Sequence, residues 1–374
     1  MLRVLIAEDS QVVQRTLQAL LADEPGIEIV GTANDGAEAL ALCRELQPDL
    51  VTMDIFMPEM DGLEATRRIM DECPTRIVII SSMVGPKDQR TTFEAMRAGA
   101  IEVIEKPHGV LLGNYEDVKY NLSRVLRKMA HARPVNQLSW LPPAPRDAPL
   151  TTAPPAPAAS GPPRSRPAAP PTGARPGRIP RDFAPSIVCL GGSTGAPAVL
   201  VEVLAALGAD YPLPIVVAQH IARGFARGLA DWLDASSPLA VKVAEQGDVL
   251  GPGRVFIGPD DRHFEVTPSF TLSLRAAASR QEHVPSVNRF FASVARVYGD
   301  KAFAAVLSGM GSDGAEGLQA MRDAGAVTVV QAEPSCVVFG MPKVAMESGA
   351  AMREVTPQQL AALLEKMAAS ARPR

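Results

Sequence analysis

A serine in a glycine-rich turn is the residue that most directly suggests chemistry in this sequence. The apolar run SIVCL leads into GGSTG, which places Ser193 in the spacing G-x-S-x-G before a helical pattern begins. Glycines in that spacing allow a sharp turn that presents the hydroxyl above the edge of a sheet. The same letters also fit a loop that only requires small residues. A phosphate-cradling turn is a further alternative, but the segment lacks a full G-x-G-x-x-G and a P-loop lysine.

A serine hydroxyl becomes a good nucleophile when a base takes its proton and an acid orients that base. His220 ends the apolar run PIVVAQH, and Asp313 follows another apolar run in AVLSGMGSDG. Because the carboxyl ends of parallel strands share one edge of a sheet, we expect Ser193, His220 and Asp313 to meet there. The Met310 N–H and the Thr194 hydroxyl are the candidate donors to an oxyanion.

The C-terminal half contains two further histidines, His263 and His283, which are weaker candidates for the base. The first leads into a predicted short strand and the second precedes a predicted helix, so we expect both at the surface or at helix caps. The chain order Ser-His-Asp differs from the Ser-acid-His order of α/β-hydrolases. Triads are defined by the roles of their members, so the order does not exclude one.

A second group of polar residues lies at the predicted strand ends of the N-terminal third. These residues are Glu8, Asp9, Asp54, Ser81, Ser82 and Lys106. A set of carboxylate oxygens suits Mg²⁺, which keeps waters and accepts a phosphoryl oxygen. The lysine would offset phosphoryl charge, and a serine would bond one of its oxygens. Any one of these acidic residues alone would be read as a solvated loop residue; their recurrence at successive strand ends favours a site.

Strand-like and helix-like patterns alternate in two parts of the chain, which predicts two α/β domains with parallel sheets covered on both faces. The first part has predicted strands at Leu2–Ala7, Ile27–Thr32, Leu50–Met53, Ile77–Ile80 and Ile101–Ile104. The second has predicted strands at Ile187–Leu190, Ile215–Ala218, Arg254–Ile257, Ala302–Leu307 and Val327–Val330. The predicted domains span residues 1–130 and 183–374.

The segment between the two predicted domains, residues 131–182, has a different composition. Of the 34 prolines in the chain, 15 lie between Pro134 and Pro180, mixed with Ala, Ser, Gly and Arg. Such a segment buries too little apolar surface to offset the entropy of ordering, so it is predicted to be a disordered linker. Its excess of arginine allows a docking role as the alternative to a solvated tether.

Composition excludes several classes of protein. The chain carries 41 Asp plus Glu against 37 Lys plus Arg, which disfavours a general nucleic-acid binder. It has no apolar stretch near the length of a membrane span and no leader-like start, so we expect a cytoplasmic protein that does not insert into a membrane. The four cysteines are scattered, which predicts reduced residues and no cysteine-based zinc site.

Residues 1 to about 128 resemble a response-regulator receiver domain, a flavodoxin-like fold with a five-stranded parallel sheet. The resemblance rests on the Glu-Asp pair, the aspartate followed by M-P-x-M-D-G, the Ser-Ser pair and the Lys-Pro pair. It implies that Asp54 accepts phosphate from a histidine kinase, with Mg²⁺ held by Glu8, Asp9 and Asp54. Lys106 would contact the phosphoryl group, and Ser81, or alternatively Ser82, would be the switch hydroxyl. Val103 stands where many receivers carry an aromatic ring.

The whole chain is similar to the chemotaxis protein-glutamate methylesterase (CheB) family. The similarity rests on GGSTGAP, VVAQH, SGMGSDGAEGL and SCVVFGMPKVAM. It implies hydrolysis of glutamate γ-methyl esters on chemoreceptor cytoplasmic domains, and deamidation of receptor glutamines, without a cofactor for ester hydrolysis. Ser193 would be the nucleophile, His220 the base and Asp313 the orienting acid, with Thr194 and Met310 at the oxyanion site. The sequence Ile221-Ala222-Arg223 departs from the family, which tends to have proline there, and the linker is longer than in enteric relatives.

A phosphoacceptor domain tethered to a hydrolase suggests that the first controls the second. We expect the unphosphorylated N-terminal domain to lie over the Ser193 edge, and phosphorylation to weaken that contact. Two alternatives belong to other classes: a regulated partner-binding module without esterase activity, and a transcription regulator. The second is disfavoured because the C-terminal part shows no short basic helix-turn-helix pattern.

Overall fold

The computed structural model describes residues 1–81, 86–107, 115–130, 132–134, 179–180, 183–277 and 283–371. Most of the predicted linker, residues 131–182, therefore lies outside the described residues, as does Ser82. The four cysteines are all free thiols. None of the helices in these ranges combines the length and apolar character that a membrane span requires.

The N-terminal domain is a five-stranded parallel sheet in the order β2-β1-β3-β4-β5, as the alternating pattern predicts. Its strands are β1 (Leu2–Ala7), β2 (Ile27–Ala33), β3 (Leu50–Met53), β4 (Arg76–Ser81) and β5 (Glu102–Glu105). Its helices are α1 (Gln11–Leu21), α2 (Gly36–Leu46), α3 (Gly62–Glu72), α4 (Pro86–Arg97) and α5 (Tyr115–Met129). Strand β3 is buried along its whole length, which explains its uniformly apolar or β-branched sequence LVTM.

The C-terminal domain contains a seven-stranded sheet in the order β14-β13-β12-β6-β7-β9-β8, whose recorded pairs are all parallel. Its strands are β6 (Ile187–Gly192), β7 (Ile215–Gln219), β8 (Ala240–Val243), β9 (Arg254–Ile257), β12 (Ala302–Val306), β13 (Val327–Gln331) and β14 (Arg353–Val355). An antiparallel pair, β10 (Arg262–Val266) and β11 (Leu272–Ala276), lies outside that sheet. The predicted mostly parallel α/β fold is confirmed.

The helices of the C-terminal domain are α6 (Ala196–Ala205), α7 (Ala226–Ser236), α8 (Val287–Tyr298), α9 (Ala315–Asp323), α10 (Met341–Glu347) and α11 (Pro357–Ala371). The strand order reverses between β6 and β12, because the chain proceeds from β6 to one side of the sheet and then returns to the other. This reversal opens a crevice at the carboxyl ends of the two strands, where ligands bind in sheets of this kind.

Three strands that the apolar runs do not predict are β8, β11 and β14. Each mixes exposed or half-buried positions with buried ones, so none forms a continuous apolar run. Strand β14 is only three residues long and pairs at the sheet edge. Short edge strands of this kind give a weak sequence signal because only one face requires apolar residues.

The two domains contact each other through α4 and α7. Phe93 of α4 is fully buried, and its ring stacks on Trp232 at a centroid distance of 5.5 Å and meets Phe225 edge-on at 6.4 Å. Just beyond α5, the Arg133 N–H donates to the Val337 carbonyl at 2.8 Å. One hydrophobic core consequently includes residues of both domains.

Candidate functional site

The carboxyl edge of the N-terminal sheet gathers the predicted phosphoacceptor residues. Asp54 follows β3, and its Oδ2 lies 2.9 Å from the ammonium of Lys106, which follows β5. The same ammonium lies 2.9 Å from Glu8 Oε2. Glu8 and Asp54 are almost completely buried, so the lysine is the shared counter-charge of two carboxylates that have little access to water.

Burial controls the ionisation of this group. It raises the pKa of Asp54, against the opposing hydrogen bond and charge of Lys106. Burial likewise raises the pKa of Glu8, while the Lys106 contact opposes the change and the Asp54 charge adds to it. Burial alone would lower the pKa of Lys106, but its bonds to Asp54 and Glu8 outweigh that effect and raise it. The geometry thus concentrates negative charge where a cation would relieve it.

The donor set fits a small divalent cation. One oxygen each from Glu8, Asp9 and Asp54 lies within 4.8 Å of the other two. Glu8 and Asp54 are buried and Asp9 is exposed, so one side of the cluster stays open to solvent. Carboxylate oxygens with room for water and a phosphoryl oxygen are the surroundings that Mg²⁺ prefers. The predicted metal ligands therefore lie together.

Ser81, the first choice for the switch hydroxyl, is buried at the end of β4. Its Oγ lies 3.4 Å from the Thr92 hydroxyl of α4. The backbone N–H of Lys106 donates to the Ser81 carbonyl at 2.9 Å, so Ser81 lies beside the phosphoacceptor group. Thr92 is next to Phe93 on α4, so the residue that Ser81 contacts is adjacent in the chain to the residue that forms the interdomain contact.

The second site forms at the crevice between β6 and its neighbours. The His220 N–H donates to the Gly192 carbonyl at 2.9 Å, and the Ser193 N–H donates to the Ser308 carbonyl at 3.0 Å. These backbone bonds bring the residues that follow β6, β7 and β12 to one place. Gly309 is required there, because a Cβ on it would lie 2.8 Å from Ser193 Cβ and 2.4 Å from Met341 Sδ.

The predicted base and acid are in contact. His220 Nε2 lies 2.8 Å from Asp313 Oδ2, with both side chains mostly buried. Burial alone would raise the pKa of Asp313, but the hydrogen bond and charge of His220, together with backbone N–H groups of α8, lower it. The carboxylate therefore stays ionised and can hold the imidazole in one orientation.

The start of α8 also holds Asp313, and this contact is not predicted by the sequence. Its Oδ2 accepts the Val287 N–H at 2.8 Å. Its Oδ1 accepts the Asn288 N–H at 2.9 Å and the Ser286 hydroxyl at 3.1 Å. A helix N-terminus favours an anion, so α8 supports both the charge and the position of the acid. The sequence signal was the serine at the helix start, a common N-cap.

A second unanticipated residue is Gln219, the last residue of β7. Its buried side-chain amide donates to the Ser193 carbonyl at 2.8 Å and to the His220 carbonyl at 3.0 Å. It therefore connects the backbone of the candidate nucleophile to that of the candidate base. A polar residue at the end of an otherwise apolar strand was the available signal.

Ser193 lies half-buried at the head of α6, next to a left-handed Gly195. Across the described residues its hydroxyl forms no hydrogen bond, so the bond between Ser193 and His220 is not present in this structure. Because Nε2 of His220 is engaged by Asp313, Nδ1 is the ring nitrogen left for the serine. Catalytic bonds of this kind often tighten only when substrate is bound.

The two predicted oxyanion donors differ in their present partners. The Met310 N–H donates no hydrogen bond to any described residue, which leaves it available to an oxyanion. The Thr194 hydroxyl instead donates to Glu102 Oε2 of the N-terminal domain at 2.5 Å. The N-terminal domain thus reaches the predicted oxyanion site itself.

The two remaining histidines lie close to the site, which corrects one expectation. His263 is fully buried within β10 rather than at the surface, and its Nδ1 accepts the Ser286 N–H at 3.1 Å. It therefore supports the residue that holds Asp313. His283 is exposed as expected, but its ring stacks on that of His220 at a centroid distance of 5.0 Å. Partial desolvation of the ring and the neighbouring His220 lower the pKa of His283.

Together, the carboxyl edges of the two sheets define a class of protein. It is a hydrolase domain of mostly parallel α/β fold, with a serine, a histidine and an aspartate at one sheet edge, attached to a phosphoacceptor domain. The response-regulator receiver family matches residues 4–111, and the CheB methylesterase family matches residues 188–364. The chain belongs to the CheB methylesterase family.

The relatives cover nearly the whole chain. A protein-glutamate methylesterase/protein-glutamine glutaminase of Myxococcus xanthus is 42% identical over 363 residues, which span 97% of this chain and 96% of the relative. A Geobacter metallireducens protein of the same name is 38% identical over 98% of this chain and 99% of its own length. The solved CheB methylesterase catalytic domain of Thermotoga maritima is 35% identical, covers 48% of this chain and 99% of its own, and aligns with a TM-score of 0.46.

Proposed function

We propose that this chain is a phosphorylation-regulated protein-glutamate methylesterase that also deamidates protein glutamines. Its substrates would be glutamate γ-methyl esters and glutamines on the cytoplasmic domains of chemoreceptors. The observation that carries the proposal is the bond of 2.8 Å between His220 and Asp313 at the strand edge that also holds Ser193. We take residues 1–130 as the receiver, 131–182 as the linker and 183–374 as the methylesterase domain, a division supported by the two matched ranges.

In the proposed reaction, Ser193 Oγ attacks the γ-carbonyl carbon while His220 takes its proton. Asp313 stabilises the imidazolium, and the Met310 N–H and Thr194 hydroxyl donate to the oxyanion. The imidazolium then protonates the leaving methoxide, which departs as methanol, or the leaving amide nitrogen, which departs as ammonia. Water hydrolyses the acyl-enzyme with His220 as base, giving glutamate and free Ser193.

Asp54 would be the phosphoacceptor, with a histidine kinase as donor. Glu8, Asp9 and Asp54 would hold Mg²⁺, which when bound neutralises charge on the transferred phosphoryl group. The ammonium of Lys106 already contacts Asp54, so it would also contact an oxygen of a phosphoryl group carried by that carboxylate. Ser81 is adjacent and buried, which suits a hydroxyl that bonds the new group.

The N-terminal domain would restrain the hydrolase until Asp54 is phosphorylated. Glu102 of β5 bonds Thr194, while Phe93 of α4 packs against Phe225 and Trp232. Both contacts lie beside the Ser193 crevice or on the helix next to it, so the closed arrangement limits access to the nucleophile. A shift of a few kcal/mol is enough to change a mostly closed population into a mostly open one.

Methanol release from methylated receptor membranes tests the proposal. The wild-type chain with a phosphodonor should release methanol, and Ser193→Ala should release none above background. Asp54→Asn should retain only the slow rate of the unphosphorylated chain. If Ser193→Ala hydrolysed the ester as fast as wild type, the serine mechanism would be wrong. Ammonia release from receptors with glutamine at the same positions separates deamidation from ester hydrolysis.

A further inference from the structure

Among the described residues, Glu102 is the receiver side chain that bonds directly to the predicted oxyanion site. It is the first residue of β5, and its Oε2 accepts the Thr194 hydroxyl at 2.5 Å. Thr194 is itself buried and follows Ser193 directly in the chain. The receiver therefore does more than cover the crevice: it places a carboxyl group on a hydroxyl of the catalytic machinery.

The surroundings of this carboxyl group compensate its negative charge. Burial raises the pKa of Glu102, while the Thr194 hydrogen bond and the charges of Lys128 and His220 lower it. Lys128 belongs to the receiver helix α5, whereas Thr194 and His220 belong to the hydrolase. Two of the groups that favour the carboxylate are therefore parts of the hydrolytic site, and they would act on any glutamyl carboxyl group placed there.

The side chain of Glu102 is chemically the same as the product of the proposed reaction. Both the ester and the amide reactions end with a glutamate γ-carboxylate in the site, and Glu102 presents the same group on the same kind of side chain. A site built to hydrogen-bond a γ-carbonyl oxygen, and an oxyanion derived from it, also accepts a carboxylate oxygen.

We infer that Thr194 and its neighbours form a γ-carboxyl subsite, and that Glu102 fills this subsite in the closed chain as an internal copy of the reaction product. This inference rests on the function proposed above and extends it. The receiver then inhibits by competing for the place of the substrate's glutamyl group, in addition to any steric restriction. Competition of this kind acts on binding, so it falls away at saturating substrate.

Steady-state kinetics of the unphosphorylated full chain test the inference, with a methylated receptor fragment as substrate. Glu102→Ala should raise kcat/KM by roughly tenfold, the effect expected from removing one hydrogen bond to a charged group. The value of kcat at saturating substrate should stay close to that of wild type. Glu105→Ala is the matched control, because Glu105 is an exposed glutamate at the other end of the same strand.

Product inhibition gives the second readout. A synthetic receptor-helix peptide with glutamate at the methylation position should inhibit Glu102→Ala more strongly than the unphosphorylated wild type, since the subsite is vacant in the variant. Glu102→Gln keeps the size of the side chain and an amide oxygen that can accept the Thr194 hydroxyl, so it should resemble the wild type in this assay. If it does, the gain in product binding in Glu102→Ala follows the loss of the oxygen that fills the subsite.

Two results would overturn the inference. One is an unchanged kcat/KM in Glu102→Ala; the other is equal product inhibition in wild type and Glu102→Ala, which would leave steric covering as the sole effect of the receiver. Failure of the underlying function gives a different result, since the phosphorylated wild-type chain would then release no methanol and would not differ from Ser193→Ala.

Discussion

The carboxylate of Asp313 joins His220 to the start of α8. Its Oδ2 lies 2.8 Å from His220 Nε2 and accepts the Val287 N–H at the same distance of 2.8 Å. One oxygen thus contacts both the imidazole and the positive end of a helix dipole. The predicted acid is therefore held by secondary structure as well as by its own loop, so its orientation depends on residues at the start of α8.

Ser286 should affect activity through Asp313. Its hydroxyl donates to Asp313 Oδ1 and also accepts the Arg289 N–H as the N-cap of α8. We expect Ser286→Ala to lower kcat by about tenfold, because a hydrogen bond to a charged group contributes about 1.5–3 kcal/mol. Ser286→Thr, which keeps the hydroxyl, should recover most of the rate in methanol-release assays.

Thr356→Ala is the control for the loss of a helix cap. The Thr356 hydroxyl accepts the Gln359 N–H at 3.3 Å at the start of α11, away from the site. Both variants should lose about 1 kcal/mol of stability in urea unfolding. Equal losses of kcat in the two variants would show that Ser286 has only a structural role.

Gly309→Ala should displace the nucleophile. The added methyl group would lie 2.8 Å from Ser193 Cβ, so one of the two residues must move. A misplacement of about 1 Å costs about 100-fold in rate, and we expect a loss of that order in kcat. Gly251→Ala is the control, since nothing lies within 4 Å of a Cβ there. A Gly309→Ala enzyme with normal kcat would contradict the placement of Ser193.

Lys106→Met should make the receiver depend on a divalent cation for its stability. The change leaves the buried carboxylates of Glu8 and Asp54 without their counter-charge, at a cost of about 3 kcal/mol. Because the cluster is then more negative, Mg²⁺ should raise its Tm by more than it raises that of wild type. Lys119→Met removes a more peripheral ion pair with Glu24 and should not change the Mg²⁺ response. Equal Tm increments in all three proteins would argue against metal binding at this cluster.

Phe93→Leu should open the interface between the domains. The change keeps an apolar side chain but removes the ring contacts with Trp232 and Phe225. Aromatic pairs contribute about 0.5–1.5 kcal/mol each beyond their buried area, so unphosphorylated activity should rise by roughly tenfold. Phe264→Leu removes a comparable contact with Phe290 inside the hydrolase, at 4.7 Å, and should lower stability without activating the enzyme. Activation by both variants would mean that general loosening is responsible.

The closed arrangement should weaken as pH rises through the acid range. Burial raises the pKa of Glu102 above its ordinary value of 4.5 in the closed form, against the Thr194 bond, whereas in the open form the carboxyl group is solvated. The closed form therefore binds this proton more tightly, and its advantage is complete below pH 4.5 and is lost as pH rises through the raised pKa. Small-angle scattering across this range should show expansion with rising pH, reduced in Glu102→Gln, which has no proton to lose. An identical pH dependence in both proteins would assign the effect to groups other than Glu102.

The sequence determined the fold class and the residues of most of the candidate site, because apolar runs mark buried strands and the polar residues that follow them mark the edge of the sheet. Ser193, His220 and Asp313 each follow a buried strand, and the parallel arrangement brings the ends of such strands together. The same reasoning gathered Glu8, Asp54 and Lys106.

The tertiary structure decided which residues support these groups. The local signals of Ser286 and Gln219, a helix N-cap and a polar strand end, do not reveal their partners; the two residues act because α8 and β7 place them beside Asp313 and Ser193. In the sequence, Glu102 is an ordinary strand residue, and its contact with Thr194 depends on how the receiver packs on the hydrolase. Contacts between elements distant in the chain depend on how whole domains pack, and no short stretch of sequence records that packing.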